Sequence, residues 1–77
     1  MKLVKGQQFK TKWGIWVFIA ITNGDDFKCD GCGRYRRHLY EFLGYTNPGD
    51  CLTNPEGFNY NVFYGTECVK DFLRPLY

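Results

Sequence analysis

The sequence predicts an α+β domain, a small antiparallel sheet of three to four strands followed by one short C-terminal helix. Three observations predict it. Apolar and polar residues alternate at period two from Phe9 and again from Phe58 to Tyr64, a turn signal follows the first of these runs at Asn23-Gly24, and the spacing becomes helical after Gly65. The 77 residues, 1–77, suffice for one domain. At this size a folded chain buries only about 60% of the surface its unfolded form exposes, so the core is marginal and a further source of stability is expected.

From Phe9 the odd positions read Phe9, Thr11, Trp13, Ile15, Val17, Ile19 and Ile21. The even ones begin with Lys10 and Lys12 and turn apolar at Trp16, Phe18 and Ala20. This predicts one strand over 9–22 that runs from the edge of the fold into its centre. Asn23-Gly24, followed by Asp25 and Asp26, then turns the chain back, because Asn-Gly readily adopts the positive φ angles of a tight turn. Tyr35 to Leu43 mixes charged, aromatic and aliphatic residues without a helical stripe, between Gly33 and Gly44, and is predicted as a second strand. Residues 44–57 hold two turn tetrapeptides, Asn47-Pro48-Gly49-Asp50 and Asn54-Pro55-Glu56-Gly57, and read as a loop carrying Cys51. Phe58, Tyr60, Val62 and Tyr64, alternating with Asn59 and Asn61, mark a third strand. Gly65-Thr66 ends it and opens a short helix with Val69, Phe72 and Leu73 on one face, limited by Pro75; Cys68 falls in its first turn.

The four cysteines are the natural source of the missing stability. Cys29-Asp30-Gly31-Cys32-Gly33 has the two-residue spacing and the glycine content that let two sulfurs converge on one ion while backbone N–H groups turn toward them. A structural zinc takes four such ligands in a closed tetrahedron. Cys68, at a helix start, sits where the helix dipole favours a thiolate. Two disulfides would require an oxidising compartment, and a bridge between Cys29 and Cys32 closes too small a loop to contribute much. A thioredoxin-like redox pair would open a helix after a strand, whereas this CxxC follows a turn and precedes strand-like sequence.

Cys29-x-x-Cys32-Gly33-Arg34, a strand ending in aromatic residues, and Tyr64-Gly65-Thr66-Glu67-Cys68-Val69-Lys70 together resemble the small treble-clef-like zinc domains of phage-type and mobile-element proteins. The resemblance covers roughly residues 27 to 73. It implies a zinc knuckle on one hairpin sharing its metal with a Gly-x-x-Cys at the start of a helix. The helix here supplies one cysteine where two are typical. That leaves the fourth ligand to Cys51 in the long loop or to His38, both accepted zinc ligand types.

Charge is uneven along the chain. Residues 1–38 carry eight basic and three acidic side chains, and residues 39–77 carry two basic and five acidic, so a net +5 meets a net −3. Arg34, Tyr35, Arg36 and Arg37 follow the knuckle directly, and Lys10 and Lys12 lie on the predicted first strand. These residues form a candidate basic and aromatic face for nucleic acid, with the arginines on phosphates and the aromatic rings on bases. On a strand, Arg34 and Arg36 would share a face with His38. The alternative partner is a protein of the host cell, favoured by the phage-like resemblance and by the 15 aromatic residues, since interfaces are enriched in Tyr, Trp and Arg.

Catalysis is not expected. The chain has one histidine, no Ser/His/Asp set, no phosphate-binding glycine loop and no HExxH, and four cysteines would close a zinc shell rather than leave it open. Lys2, Lys5, Lys10 and Lys12 before the apolar run 14–22 imitate a secretory signal, but that run is rich in β-branched and aromatic residues. It is also shorter than the ~20 apolar residues of a membrane span. A cytoplasmic location is expected, that of the host cell if the chain is phage-encoded, with thiols reduced and no membrane partner.

Overall fold

The computed structural model describes residues 3–47, 49–70 and 74–75. The elements run β1 (Gln8–Thr11), β2 (Gly14–Asn23), β3 (His38–Tyr45), α1 (Asp50–Thr53), β4 (Tyr60–Gly65), α2 (Thr66–Val69) and β5 (Arg74–Pro75). The strands form one antiparallel sheet in the order β4-β3-β2-β1-β5, in which β5 is a two-residue pairing along β1. This is the α+β class expected, with two one-turn helices; among the described residues no helix is long and apolar enough to cross a membrane.

The run read as one strand over 9–22 is two. The chain reverses at Lys12-Trp13, so that Phe9 pairs with Trp16 and Gln8 with Val17. Thr11 closes the turn with its side chain. Its hydroxyl donates to the Gly14 carbonyl at 2.9 Å and accepts the Trp13 N–H at 3.1 Å. A threonine hydroxyl can mimic a backbone turn in this way, and neither Lys12 nor Trp13 interrupts the alternation that hid it.

β2 then pairs with β3 from Ile15↔Tyr45 to Asn23↔His38, with a register shift between Phe18 and Ala20. Beyond that bulge the apolar Ile21 is 60% exposed, so the strand emerges from the core where the sequence predicted it to enter. The turn after Asn23 is present, with Asp26 N–H on the Asn23 carbonyl and Asp25 N–H on its side-chain oxygen. Gly24 is required there by close approach and not by a positive φ. A Cβ on it would lie 1.4 Å from the carbonyl oxygen of Arg36.

β3 starts at His38 and β4 at Tyr60, two to three residues later than their predicted starts. The core gathers on the face that carries Trp16, Phe18, Tyr40, Phe42 and Tyr64, with Phe9, Leu39, Cys29 and Val69 packed into the same cluster. Its rings meet edge to face, Phe9 on Phe42 at 6.0 Å and Phe18 on Tyr40 at 5.7 Å. Such pairs add about 0.5–1.5 kcal/mol each beyond the area they bury. The loop expected around Cys51 contains α1. Phe72 and Leu73, predicted to share a helix face with the buried Val69, and Pro48 of the first turn tetrapeptide lie outside the described residues.

Candidate metal centre

The connection from β2 to β3, residues 24–37, holds the knuckle. A bridge between Lys28 and Tyr35 closes it, Cys29 N–H donates to the Arg34 carbonyl at 2.9 Å, and Gly33 N–H donates to the Cys29 carbonyl at 2.7 Å. β4 is the outer strand of the sheet, and the knuckle docks on its outer edge. Asp30 N–H donates to the Phe63 carbonyl at 2.7 Å, and Phe63 N–H returns a bond to the Asp30 carboxylate at 2.8 Å. The Phe27 ring stacks flat on the Phe63 ring at 4.2 Å. One residue of β4 is therefore held by backbone, carboxylate and ring together.

This docking brings the sulfurs to one point. Cys29 is fully buried, and its Sγ accepts the Gly65 N–H at 3.3 Å. Cys68 comes from α2, which Val69 anchors in the core. The Sγ atoms of Cys29, Cys32 and Cys68 lie within 4.8 Å of one another. A tetrahedral zinc with bonds of about 2.3 Å sets its sulfurs about 3.8 Å apart, so one ion fits this group with small side-chain adjustments.

Cys32 and Cys68 differ in their ease of ionisation. Cys32 is exposed, and its thiol is lowered to about 7, first by the backbone N–H of Arg34 and then by the Arg36 guanidinium, whose Nε donates to the sulfur at 3.4 Å. The same contact raises the Arg36 pKa. Cys68 is pushed up to about 11, first by its hydrogen bond with Cys29 and then by burial. Adjacent thiols cannot all lose their protons without a compensating charge. A divalent ion supplies that charge, and thiolate is the form that binds it.

Cys51, expected as the fourth ligand, is not brought to this group. It sits in α1, whose loop hangs from the end of the β3–β4 hairpin opposite the knuckle, and its thiol neighbours Tyr45. Tyr45 is six residues along β3 from Leu39, the partner of Gly65, or about 20 Å. His38 lies at the knuckle end but is exposed, lining one surface cleft with Asn23 and Asp25 and another with Thr66 and Glu67. Among the described residues the group of metal-ligating atoms within 4.8 Å contains Cys29, Cys32 and Cys68 alone.

The six basic and aromatic residues singled out for nucleic acid do not share one face. Arg34, Tyr35 and Arg37 are exposed at the knuckle, where the Lys28 ammonium also stands 5.2 Å from the Tyr35 ring centre. Lys10 and Lys12 are exposed at the β1–β2 turn, the other end of the sheet. Ile15, the partner of Lys10, and Asn23, where the knuckle begins, are eight residues apart on β2, roughly 25 Å. Arg36 is half-buried, with its Nε on the Cys32 sulfur and its stem over Gly65, and it lines one cleft together with Arg37 and His38. Arg34 to Arg37 close the knuckle before β3 begins, which is why strand alternation does not govern them.

Asp30 and Lys28 were not singled out by their sequence context, and Gly65 was read as the strand end and helix start without its bond to Cys29. The residue between knuckle cysteines is ordinarily solvated, and nothing local to Asp30 points to Phe63, 33 positions away. Compared with known proteins, the chain matches no family model, no curated protein and no solved structure.

Proposed function

We propose that the chain is a zinc-stabilised, non-enzymatic binding module whose partner is nucleic acid. The observation that carries the metal is the convergence of three sulfurs from two segments 36 positions apart, Cys29 and Cys32 from the knuckle and Cys68 from α2. An all-thiolate donor set is soft and suits zinc better than magnesium or calcium. The buried Cys29 and its N–H···S bond support a structural rather than a catalytic ion.

The exposed Arg34, Tyr35 and Arg37, with Lys28 beside Tyr35, support nucleic acid as the ligand of the knuckle surface. The phage-type, treble-clef likeness agrees with this reading through the knuckle and the Gly65-x-x-Cys68 helix start. A second reading, attachment to a protein of a host cell, is favoured by the exposed Phe27, Leu52 and Phe58.

Metal analysis of protein purified without chelator tests the first half: about one zinc per chain is expected, and a metal-free folded chain carrying a disulfide overturns it. Binding to oligonucleotides across a salt series tests the second half. Replacing Arg34 and Arg37 with Ala should leave zinc content intact and flatten the slope of log affinity against log salt by about 1.4 to 1.8. No measurable binding at low salt transfers the reading to a protein partner.

A further inference from the structure

Toward the end of the sheet away from the three-sulfur group, a cleft of about 410 Å³ opens between Trp13, Trp16, Thr46, Tyr60, Val62 and Tyr64. It exists because of one glycine. Gly44 pairs with Trp16 on one side and with Tyr60 on the other, and a Cβ on it would lie 2.1 Å from the Tyr60 ring. The ring therefore lies over the strand and reaches Trp16, whose Nε1 donates to the Tyr60 hydroxyl at 2.9 Å. That hydroxyl in turn donates to the Trp13 carbonyl at 3.1 Å. Trp13 stacks on Trp16 with 10° between the rings and remains 45% exposed. The result is a braced set of aromatic walls that is open to solvent.

One cation stands beside the cleft. The Lys12 ammonium lies 4.6 Å from the Trp13 ring centre, and none of the lining residues carries a carboxylate. A π surface beside a mobile cation is complementary to a base and its phosphate. Two of the three hydroxyls of the lining are committed within the protein, Tyr60 as described and Thr46 to the Asn59 side chain at 2.9 Å. They are poorly placed to read base edges, whereas stacking accepts any base.

We propose that this cleft receives one unpaired base of a single-stranded nucleic acid, stacked against Trp13 and Tyr60, with Lys12 on the adjacent phosphate. The inference rests on the nucleic-acid reading above and adds a second footing for the strand, at the end of the sheet opposite the knuckle. A duplex cannot use it without unstacking a base.

The test is titration of the zinc-loaded protein with short oligothymidylate and oligouridylate, followed by tryptophan fluorescence, beside a duplex of equal length. Quenching by the single strands is expected. Trp13→Ala should weaken binding by roughly 5- to 150-fold while Trp13→Tyr keeps most of it, and Lys12→Ala should reduce the salt slope by about 0.7. Zinc content, read at a site about 17 Å along β3 from Gly44, reports that each variant is folded. Should Trp13→Ala lose its zinc, Val62→Phe decides, because it fills the cleft with Trp13 in place and the same loss of affinity is expected. Unchanged single-strand affinity in a folded Trp13→Ala, or in Val62→Phe, overturns the cleft proposal and leaves nucleic-acid binding at the knuckle standing. A wild type that binds no oligonucleotide at low salt overturns both and leaves the cleft to an apolar side chain of a protein partner.

Discussion

Gly65 donates its backbone N–H to the sulfur of Cys29 at 3.3 Å, across 36 positions of sequence, and so ties the last residue of β4 to the first ligand of the knuckle. The three-sulfur group is thus tied into the sheet's hydrogen bonding and its core.

Replacement of a ligand should therefore unfold the protein rather than loosen one loop. Cys29→Ser and Cys68→Ser are each expected to lose zinc and to lower the melting temperature sharply, since a structural zinc contributes several kcal/mol or more to folding and this core is small. Cys51→Ser, in α1 and outside the sulfur group, is expected to keep both. Metal content and thermal melts of the three variants, measured in parallel, check the assignment; loss of zinc in Cys51→Ser would return Cys51 to the ligand set.

Asp30 should matter for stability although it ligates nothing in the sulfur group. Asp30→Ala removes the acceptor for Phe63 N–H and is expected to cost about 1–3 kcal/mol in denaturant unfolding. Asp30→Asn keeps a carbonyl oxygen at that place and should cost less. Equal effects of the two substitutions would show that the charge, and not the bond to Phe63, is what counts.

Gly24 and Gly44, two of the glycines in close approach, should respond differently. At Gly24 an added Cβ meets backbone, the Arg36 carbonyl, which cannot move without opening the knuckle. Gly24→Ala is expected to give no folded, zinc-loaded protein. At Gly44 the obstacle is the Tyr60 ring, a side chain that can rotate away. Gly44→Ala is expected to fold with a penalty of about 1–3 kcal/mol and to break the Trp16–Tyr60 bond, visible as a change in near-UV circular dichroism.

Arg36 sets how acidic a solution the site tolerates. Protons compete with zinc for thiolates. Cys32, held down to about 7 by the Arg34 N–H and Arg36 against an ordinary 9.0, gives up its thiolate only at lower pH. Any stabilisation from that depressed value is complete above about 9 and is lost as pH falls through about 7. Arg36→Met removes the second cause, so zinc release monitored with a chromophoric indicator should shift to higher pH. A release curve that coincides with wild type would assign Arg36 to packing over Gly65 alone.

Much of this was legible in the residues. Tyr60, Val62 and Tyr64 announced β4 by alternating with the exposed Asn61, although Phe58 lies before the strand and is exposed, and Gly65-Thr66 marked the change of period that brings Cys68 in. The CxxC spacing was readable because ligand geometry constrains neighbours in sequence. What was not readable depended on partners far along the chain. The turn at Lys12-Trp13 is closed by a hydroxyl that any strand can carry. Cys51 satisfied the arithmetic of four ligands, but which end of a hairpin its loop hangs from is a matter of topology. Arg36 looked like its neighbours Arg34 and Arg37, and only the path of the backbone past Gly24 separates its role from theirs.

The pairing of Asp30 with Phe63 has a consequence for the protein without its metal. A sheet edge with unpaired N–H and C=O groups is a template for adding another strand, and natural proteins cover such edges. Here the cover on β4 is the knuckle itself, held in register by Asp30 and Phe27 on Phe63. With an ion bound at the three sulfurs, its removal would open the fold and the cover together, and the bared strand beside Phe27 and Phe63 would be free to pair with a second copy. Solubility in the presence of a chelator should therefore fall with protein concentration.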